Sequence, residues 1–321
     1  MPNTDSLDTF QFSGFKTMVV EVKPIAGPFN LGEGPHWDEG SQSLFFVDID
    51  GCAICKYDSA SRTTTKCAID RKVGFIIPVK DKTEQFMIGY GGDFAVVTWD
   101  GKSEKPQDLK IYAKGDPSVD NRINDGKADP TGRVYAGSMC QVKVDGIWKK
   151  ESSFLYNLEK GEAKVLLDKV GLSNGLAWSL DHKKLYYIDS LMGNVRELEY
   201  NKETGRIGNP KVVYSWTPDQ GSPDGMTIDV EGKLWIASFG GGRVIRVDPD
   251  TKELLLTLDI PAHQTTSVAW GGLNYDELYV TSANFPDIIP DEDKPKYTHN
   301  GYLFKVTGLG VKGLAPSQAN L

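Results

Sequence analysis

The sequence has no run of about 18 apolar residues, the length a membrane-crossing helix requires, so no membrane span is expected. Nor does it have a basic excess. Its 36 Lys and Arg face 44 Asp and Glu, for a formal net charge of -8. That sign disfavours nucleic acid, whose phosphates need a basic face. Cysteine is sparse, with four in 321 residues, and a chain of this size needs no disulfide framework. The four histidines (positions 36, 182, 263 and 299) are nowhere paired at the spacing of zinc ligands. The opening MPNTDSLDTFQFSGFK lacks the basic and apolar regions of a secretory signal, and a cytoplasmic location is expected. Long segments with a 3.6-residue period are also missing, which argues against a helical fold.

One cysteine pair invites a functional reading. Cys52-Ala53-Ile54-Cys55 is a CxxC, the form of a redox pair or half a zinc site. Its flanks, VDIDGCAICKYD, read as strand–turn–strand, whereas a redox motif enters a helix. No second CxxC completes a metal set. The expectation is a structural role.

What the sequence does contain is a repeat. Residues 32–48 (GEGPHWDEGSQSLFFVD), 123–138 (INDGKADPTGRVYAGS), 173–190 (SNGLAWSLDHKKLYYIDS), 222–239 (SPDGMTIDVEGKLWIASF) and 266–282 (TSVAWGGLNYDELYVTS) share one pattern. Each is a short strand, a turn rich in Asp, Gly or Asn, and a strand with an aromatic near its centre. A weaker copy lies at 73–90. Third strands follow in DGCAICKYD, MGNVRELEYN and GGGRVIRVDPD, and GEAKVLLDK and KELLLTLDI suit a fourth. A period of roughly 40–50 residues is that of propeller blades. The fold class expected is all-β: a six-bladed β-propeller with four antiparallel strands per blade. Residues 1–17 are expected to be a flexible N-terminal extension, 18–315 the single propeller domain, and 316–321 a C-terminal tail. TMVVEVKPIA near the start and GYLFKVTGLGVK near the end are candidates to share one blade and close the ring. Trp37, Tyr135, Trp178, Trp235 and Tyr279 are expected between blades.

In a propeller the first strand of each blade lines the central channel. Aligning the copies on Gly34, Gly126, Gly175 and Gly225 puts Glu33, Asp125, Asn174 and Asp224 at one offset, with Asn124 one residue earlier. Asn-Gly and Asp-Gly are common turn pairs, which explains any single copy. Turn chemistry accounts poorly for Glu33, and for oxygen at the same offset in four copies. Carboxylates gathered at one mouth repel unless a cation or protons neutralise them. Oxygen donors without His or Cys suit a hard cation such as Ca²⁺ or Mg²⁺, so a metal on the propeller axis is expected.

The motifs GEGPHW, NRINDGKADPTGRVYAGSM, SNGLAWSLDHKKLYYIDS, SPDGMTIDVEGKLWIASFGGGRVIRVDP and GLGVKG resemble those of a known family. It comprises regucalcin (senescence marker protein), the gluconolactonases and the insect luciferin-regenerating enzymes. The likeness runs from about Leu31 to Gly313. It implies a six-bladed propeller holding one divalent cation, Ca²⁺ first, with Mg²⁺, Mn²⁺ or Zn²⁺ as alternatives. It implies Glu33, Asn174 and Asp224 as metal ligands, and Arg122 and Asn124 as substrate-binding residues. By repeat position Asp125 is expected to reach the axis, whereas the family uses its neighbour Asn124. The family's sugar-binding members carry two adjacent acids where this chain has Gln141 and Val142, which puts sugar specificity in doubt.

The expected reaction is cation-assisted hydrolysis of a lactone, with a water as nucleophile and Asp224 as the catalytic base. Residues 141–153 and 283–301 are long for hairpin connections and are expected to border the site. Within them Trp148, Phe285 and Ile288 are candidates to contact an apolar substrate. Competing expectations are a luciferin-regenerating enzyme acting on an aromatic heterocycle, a non-catalytic Ca²⁺-binding regulatory protein, and an interaction propeller.

Overall fold

A computed structural model describes residues 19–144 and 146–321; the proposed extension at 1–17 lies outside the described residues. Among the described residues the chain forms six four-stranded antiparallel sheets arranged as the blades of a propeller. No helix among them is long and apolar enough to cross a membrane. Blades one to five each use four strands in chain order, interrupted in blade three by a small hairpin, so their innermost strands are Gly32–Asp38, Val73–Pro78, Asn121–Ala128, Ser173–Trp178 and Ser222–Ile228. Blade six takes Thr265–Gly271, Glu277–Ser282 and Leu303–Thr307, and its outermost strand is Glu21–Ala26 from the start of the chain. Pairing of Glu21 with Thr307 and Val22 with Val306 closes the ring as the terminal sequences suggest.

The second strands read as near-continuous apolar runs because both faces of every blade are covered. In Ser43–Asp48, Leu44 and Phe46 join one cluster with Trp37 and Tyr279 of blade six, while Phe45 and Val47 join another with Phe86 and Ile88 of blade two. Alternation sends successive side chains to opposite faces, and each face meets a neighbouring blade. Trp235 and Ala237 likewise face blade six, while Leu234 and Ile236 face blade four. The interblade tryptophans sit where the pattern put them. Trp37 stacks on Tyr279 with centroids 5.2 Å apart, and edge-to-face pairs join Tyr135 to Trp178 and Trp235 to Trp270 at 5.3 Å. Each fully buried large side chain contributes about 1.5–3 kcal/mol, so these wedges hold the ring together. Cys55 is buried in the third strand of blade one, burial pushes its thiol pKa far up, and all four cysteines are free.

Both long insertions leave blades between their second and third strands. Residues 141–152 leave blade three and include a small hairpin in which Lys143 pairs with Trp148. Residues 283–302 leave blade six. Residues 314–321 are fixed at both ends. Gly313 bridges Asp229 of blade five, and Ala319 bridges Val79 of blade two in parallel. The segment between them therefore crosses one end of the channel.

Candidate functional site

All six innermost strands carry a bulge at the same place. Pairing with the second strand slips between Glu33 and His36, Val73 and Ile76, Ile123 and Gly126, Ser173 and Leu176, Pro223 and Met226, and Thr265 and Val268. A bulge re-aims side chains, and here it leaves two residues opposite one. The first bulged residue is Asn124 in blade three, Asn174 in blade four and Asp224 in blade five. This corrects the alignment on glycines. Asp125 occupies the place of Gly175 and Gly225, one residue out of step, so Asn124 is the true counterpart of Asn174 and Asp224; Glu33 is out of step in the other direction, pairing with Val47 just ahead of a bulge that begins at Gly34. Glycine at 225 answers a packing need, since a side chain there would run into Ser267 of blade six.

Glu33, Arg122, Asn124, Asn174 and Asp224 line one cavity of ≈ 340 Å³ at the end of the channel where the inner strands begin. All five are buried. They are linked across three blades by hydrogen bonds. Asn124 Nδ2 donates to Asn174 Oδ1 at 3.0 Å and to the Ser173 carbonyl at 2.8 Å. Asn174 Nδ2 donates to Ser190 Oγ at 2.8 Å, and Ser190 Oγ donates to the Pro223 carbonyl at 2.6 Å. Arg122 Nη1 donates to Asn124 Oδ1 at 2.7 Å. Asn124 thus uses both ends of its amide to fix an arginine and a second amide.

The carboxylates are held differently. Glu33 Oε2 accepts the Gly34 N–H at 3.0 Å, and the Glu33 and Asp224 carboxyls share one cavity wall. Asp224 Oδ1 is buried with no hydrogen-bond partner. Burial first, then repulsion from Asp125, raises Glu33 to about 8, and burial with repulsion from Glu33 and Asp125 raises Asp224 well above the carboxylate range. Burial pulls the Arg122 guanidinium down to about 10, against the opposing pull of Asp50, Glu33 and Asp224. Buried polar atoms are normally partnered, and buried like charges are expensive. An orphaned Asp224 oxygen beside a second carboxyl and the oxygen-bearing Asn174 fits a hard cation. Because one of these three donors is an amide, the set contains no trio of His, Cys, Asp and Glu; no such trio occurs among the described residues.

Asp125 is buried but lines a separate cavity of ≈ 450 Å³ at the other end of the inner strands. His36, Lys127 and the crossing segment Leu314–Ser317 line it too. Lys127 Nζ donates to the Met226 carbonyl of blade five at 2.6 Å, spanning the channel beneath the acidic cluster. Burial brings Lys127 down to about 8, partly opposed by Asp125.

Trp148 and Phe285 line the ≈ 340 Å³ cavity as anticipated. Ile288 does not: it is half exposed on the short helical turn Pro286–Ile288. Val142 also turns to solvent, whereas Gln141 reaches the cavity rim. Asp50, Lys72 and Ser190, unremarked in sequence, belong to the lining as well, and Lys72 pairs with Asp50 at 2.8 Å. Asp50 and Lys72 come from turns outside the repeated pattern, and Ser190 is the last residue of its copy, beyond the offset that the alignment compares.

The description "SMP-30/Gluconolactonase/LRE-like region" matches residues 31–284. The chain belongs to that family. A regucalcin of Xenopus laevis is 39% identical over 295 residues, covering 91% of this chain and 96% of the relative. A regucalcin of Gallus gallus is 41% identical over 290 residues, covering 90% and 94%. Among solved structures, a luciferin-regenerating enzyme is 39% identical, with a TM-score of 0.89 over 94% of this chain and 100% of that one. A regucalcin from Agrobacterium tumefaciens, described as a calcium-binding protein, is 24% identical, with a TM-score of 0.82 over 93% and 97%. At that identity it speaks to the fold.

Proposed function

We propose that the protein is a divalent-cation-dependent hydrolase of lactone esters, with Ca²⁺ as the first candidate and Mg²⁺, Mn²⁺ or Zn²⁺ as alternatives. The observation that carries this reading is the buried, unpartnered Oδ1 of Asp224 facing the Glu33 carboxyl in a cavity. Glu33, Asn174 and Asp224 would hold the cation. When bound, it supplies polarisation of the lactone carbonyl and stabilises the negative charge that develops on its oxygen. The gluconolactonase name of the family supports the same reading.

The protein's own residues do the rest. Asp224 takes the proton of a water that adds to the lactone carbonyl carbon. The new bond joins water oxygen to carbon, the bond from carbon to ring oxygen breaks, and the ring oxygen leaves with a proton. The product is the open-chain hydroxy acid. Arg122, fixed by Asn124, offers its donors to the polar groups of the substrate. Asn124 fixes the Asn174 amide in turn, so the pocket is organised before substrate arrives.

A second reading has one observation in its favour. Trp148, Phe239 and Phe285 give the cavity an apolar side, which suits an aromatic substrate such as that of a luciferin-regenerating enzyme. The test is a lactone panel on metal-stripped protein, reloaded with one cation at a time. Hydrolysis that returns with a cation and is lost in Asp224→Asn is expected. No lactone turned over with any of the four cations would overturn the proposal and favour a non-catalytic cation-binding role.

A further inference from the structure

The side of the cavity facing Arg122 and Asp224 is built by a buried glutamine that has no part in the chemistry. Gln264 is fully buried at the start of blade six. Its side chain closes a two-bonded ring on the backbone of Phe285. The Phe285 N–H donates to Gln264 Oε1 at 2.8 Å, and Gln264 Nε2 donates to the Phe285 carbonyl at 2.9 Å. The backbone of Gln264 bridges Phe239 of blade five and accepts the Ala283 N–H at 2.9 Å. One residue therefore anchors two of the three aromatic side chains that line the cavity. The third, Trp148, arrives from the blade-three insertion, with the Lys143 ammonium 4.5 Å from its ring centroid.

The groups proposed for the chemistry, Glu33, Arg122, Asn124, Asn174 and Asp224, lie on innermost strands, with Asp50, Lys72, Gln141, Ser190 and Ser222 also on the lining, whereas Phe239 ends a second strand and Trp148 and Phe285 come from the two insertions. A ligand filling ≈ 340 Å³ must meet both faces. Hydroxyl groups pressed against Phe239, Phe285 and Trp148 would lose water and gain no partner there. An aryl ring would bury apolar surface against the same side chains and could pack edge-to-face or offset on them.

We infer that the site takes lactones whose ring is fused to, or carries, an aryl or alkyl group, and that Phe285 is a specificity-determining residue positioned by Gln264. This rests on the lactonase reading proposed above and narrows its substrate class. The carbonyl end of such a substrate lies toward Asp224 and Arg122, and the apolar body lies toward Phe285 and Trp148. Gln264 touches no substrate. It acts by holding the Phe285 backbone, so its effect is on fit and not on the reacting bond.

The experiment uses the full chain loaded with Ca²⁺ and compares 3,4-dihydrocoumarin with glucono-δ-lactone. Binding is measured separately with the non-hydrolysable lactam 3,4-dihydro-2-quinolinone, by calorimetry and by quenching of Trp148 fluorescence, with Trp148→Phe as the reference for that signal. Wild type is expected to prefer dihydrocoumarin in kcat/KM by at least about tenfold, a difference typical of a matched apolar pocket. Phe285→Ala should raise KM for dihydrocoumarin and weaken lactam binding about tenfold, with a clearly smaller change in KM for gluconolactone. Gln264→Ala should reproduce that KM effect, and Gln264→Glu, which keeps the acceptor for the Phe285 N–H, should recover part of it. Preference for gluconolactone, or equal loss on both substrates in Phe285→Ala, would overturn the inference and leave the lactonase reading standing. Lactam binding that depends on Phe285 without hydrolysis of either lactone would support the apolar pocket and overturn the lactonase reading.

Discussion

Asn124 of blade three donates from Nδ2 to Asn174 Oδ1 of blade four at 3.0 Å, while its own Oδ1 accepts from Arg122 Nη1 at 2.7 Å. One amide therefore orients a proposed cation ligand and a proposed substrate-binding arginine together. Asn124→Ala leaves the buried Arg122 without that acceptor and frees the Asn174 amide to rotate. Outer partners of metal ligands typically carry 10–100-fold in affinity. The expectation is Ca²⁺ binding about 10–100-fold weaker by calorimetric titration, with KM for lactone raised as well. Asn124→Asp should not rescue, because it removes the Nδ2 donor and adds a fourth carboxyl beside Glu33, Asp125 and Asp224.

How far that arrangement is legible in the sequence depends on the feature. The six copies announce the blades because each inner pair of strands must bury both faces, and burial leaves a periodic trace. The closure of blade six by Glu21–Ala26 is also readable from two leftover strands. The step between Asn124 and Asp125 is not. Glycine is the alignment mark, yet the bulge puts Asp125 where blades four and five have Gly175 and Gly225. Backbone pairing fixes that register, and pairing is invisible in one chain. Gln264 escaped notice for a related reason: a glutamine before a strand has no pattern, and only the fold brings its amide to Phe285. Ile288 and Val142 went the other way, apolar in sequence but turned to solvent, because neither loop is long enough to bury every apolar residue it carries.

The cation-free protein should lose stability at both ends of the pH range. Glu33 and Asp224 have raised pKa values in the folded state, from burial first and then from repulsion by Asp125, with Glu33 adding to the shift of Asp224. The folded form then binds their protons more tightly than the unfolded chain does. Their contribution is present below the ordinary carboxylate range and is lost as pH rises through the raised values. His36 runs oppositely. Burial lowers it to about 4 from an ordinary 6.5, so its contribution is present above 6.5 and is lost as pH falls toward 4. Thermal unfolding followed over roughly pH 4 to 9 should show both limbs. Saturating Ca²⁺ should raise Tm most on the alkaline side, where both carboxylates are ionised. A Tm gain from Ca²⁺ that is greatest at acid pH would contradict the assignment of these carboxyls to the cation.

Lys127 holds a positive charge on the channel axis, with its Nζ on the Met226 carbonyl and Asp125 as its nearest opposing carboxylate in effect. It offsets part of the negative field that Asp125 projects onto Glu33 and Asp224. Removing only the ammonium, in Lys127→Met, should tighten Ca²⁺ binding on the order of tenfold. Asp125→Asn should weaken it by a similar factor, and the double variant should return near wild type. Calorimetric affinities of the four proteins form a cycle, and the absence of a shift in either single variant would dismiss Lys127 and Asp125 as charge determinants.

The crossing segment at the far mouth provides a control for all of these effects. Ala319 is fully buried and exchanges backbone hydrogen bonds with blade two, from the Lys80 N–H to its carbonyl at 2.8 Å and from its own N–H to the Pro78 carbonyl at 2.9 Å. The Asn320 N–H reaches the Gly132 carbonyl of blade three at 2.8 Å. Three such bonds contribute roughly 2–4 kcal/mol. Deleting residues 314–321 should therefore lower Tm by several degrees and open the ≈ 450 Å³ cavity to solvent. The ≈ 340 Å³ cavity lies at the opposite end of the inner strands and shares no lining residue with it. Calcium affinity and lactone KM should accordingly stay within about twofold of wild type at a temperature where the truncated protein is folded, since sites that share no partners behave independently. A large loss of calcium affinity in the folded truncated protein would mean that the two ends of the channel are coupled, with the Asp125 and Lys127 side chains between them as the route.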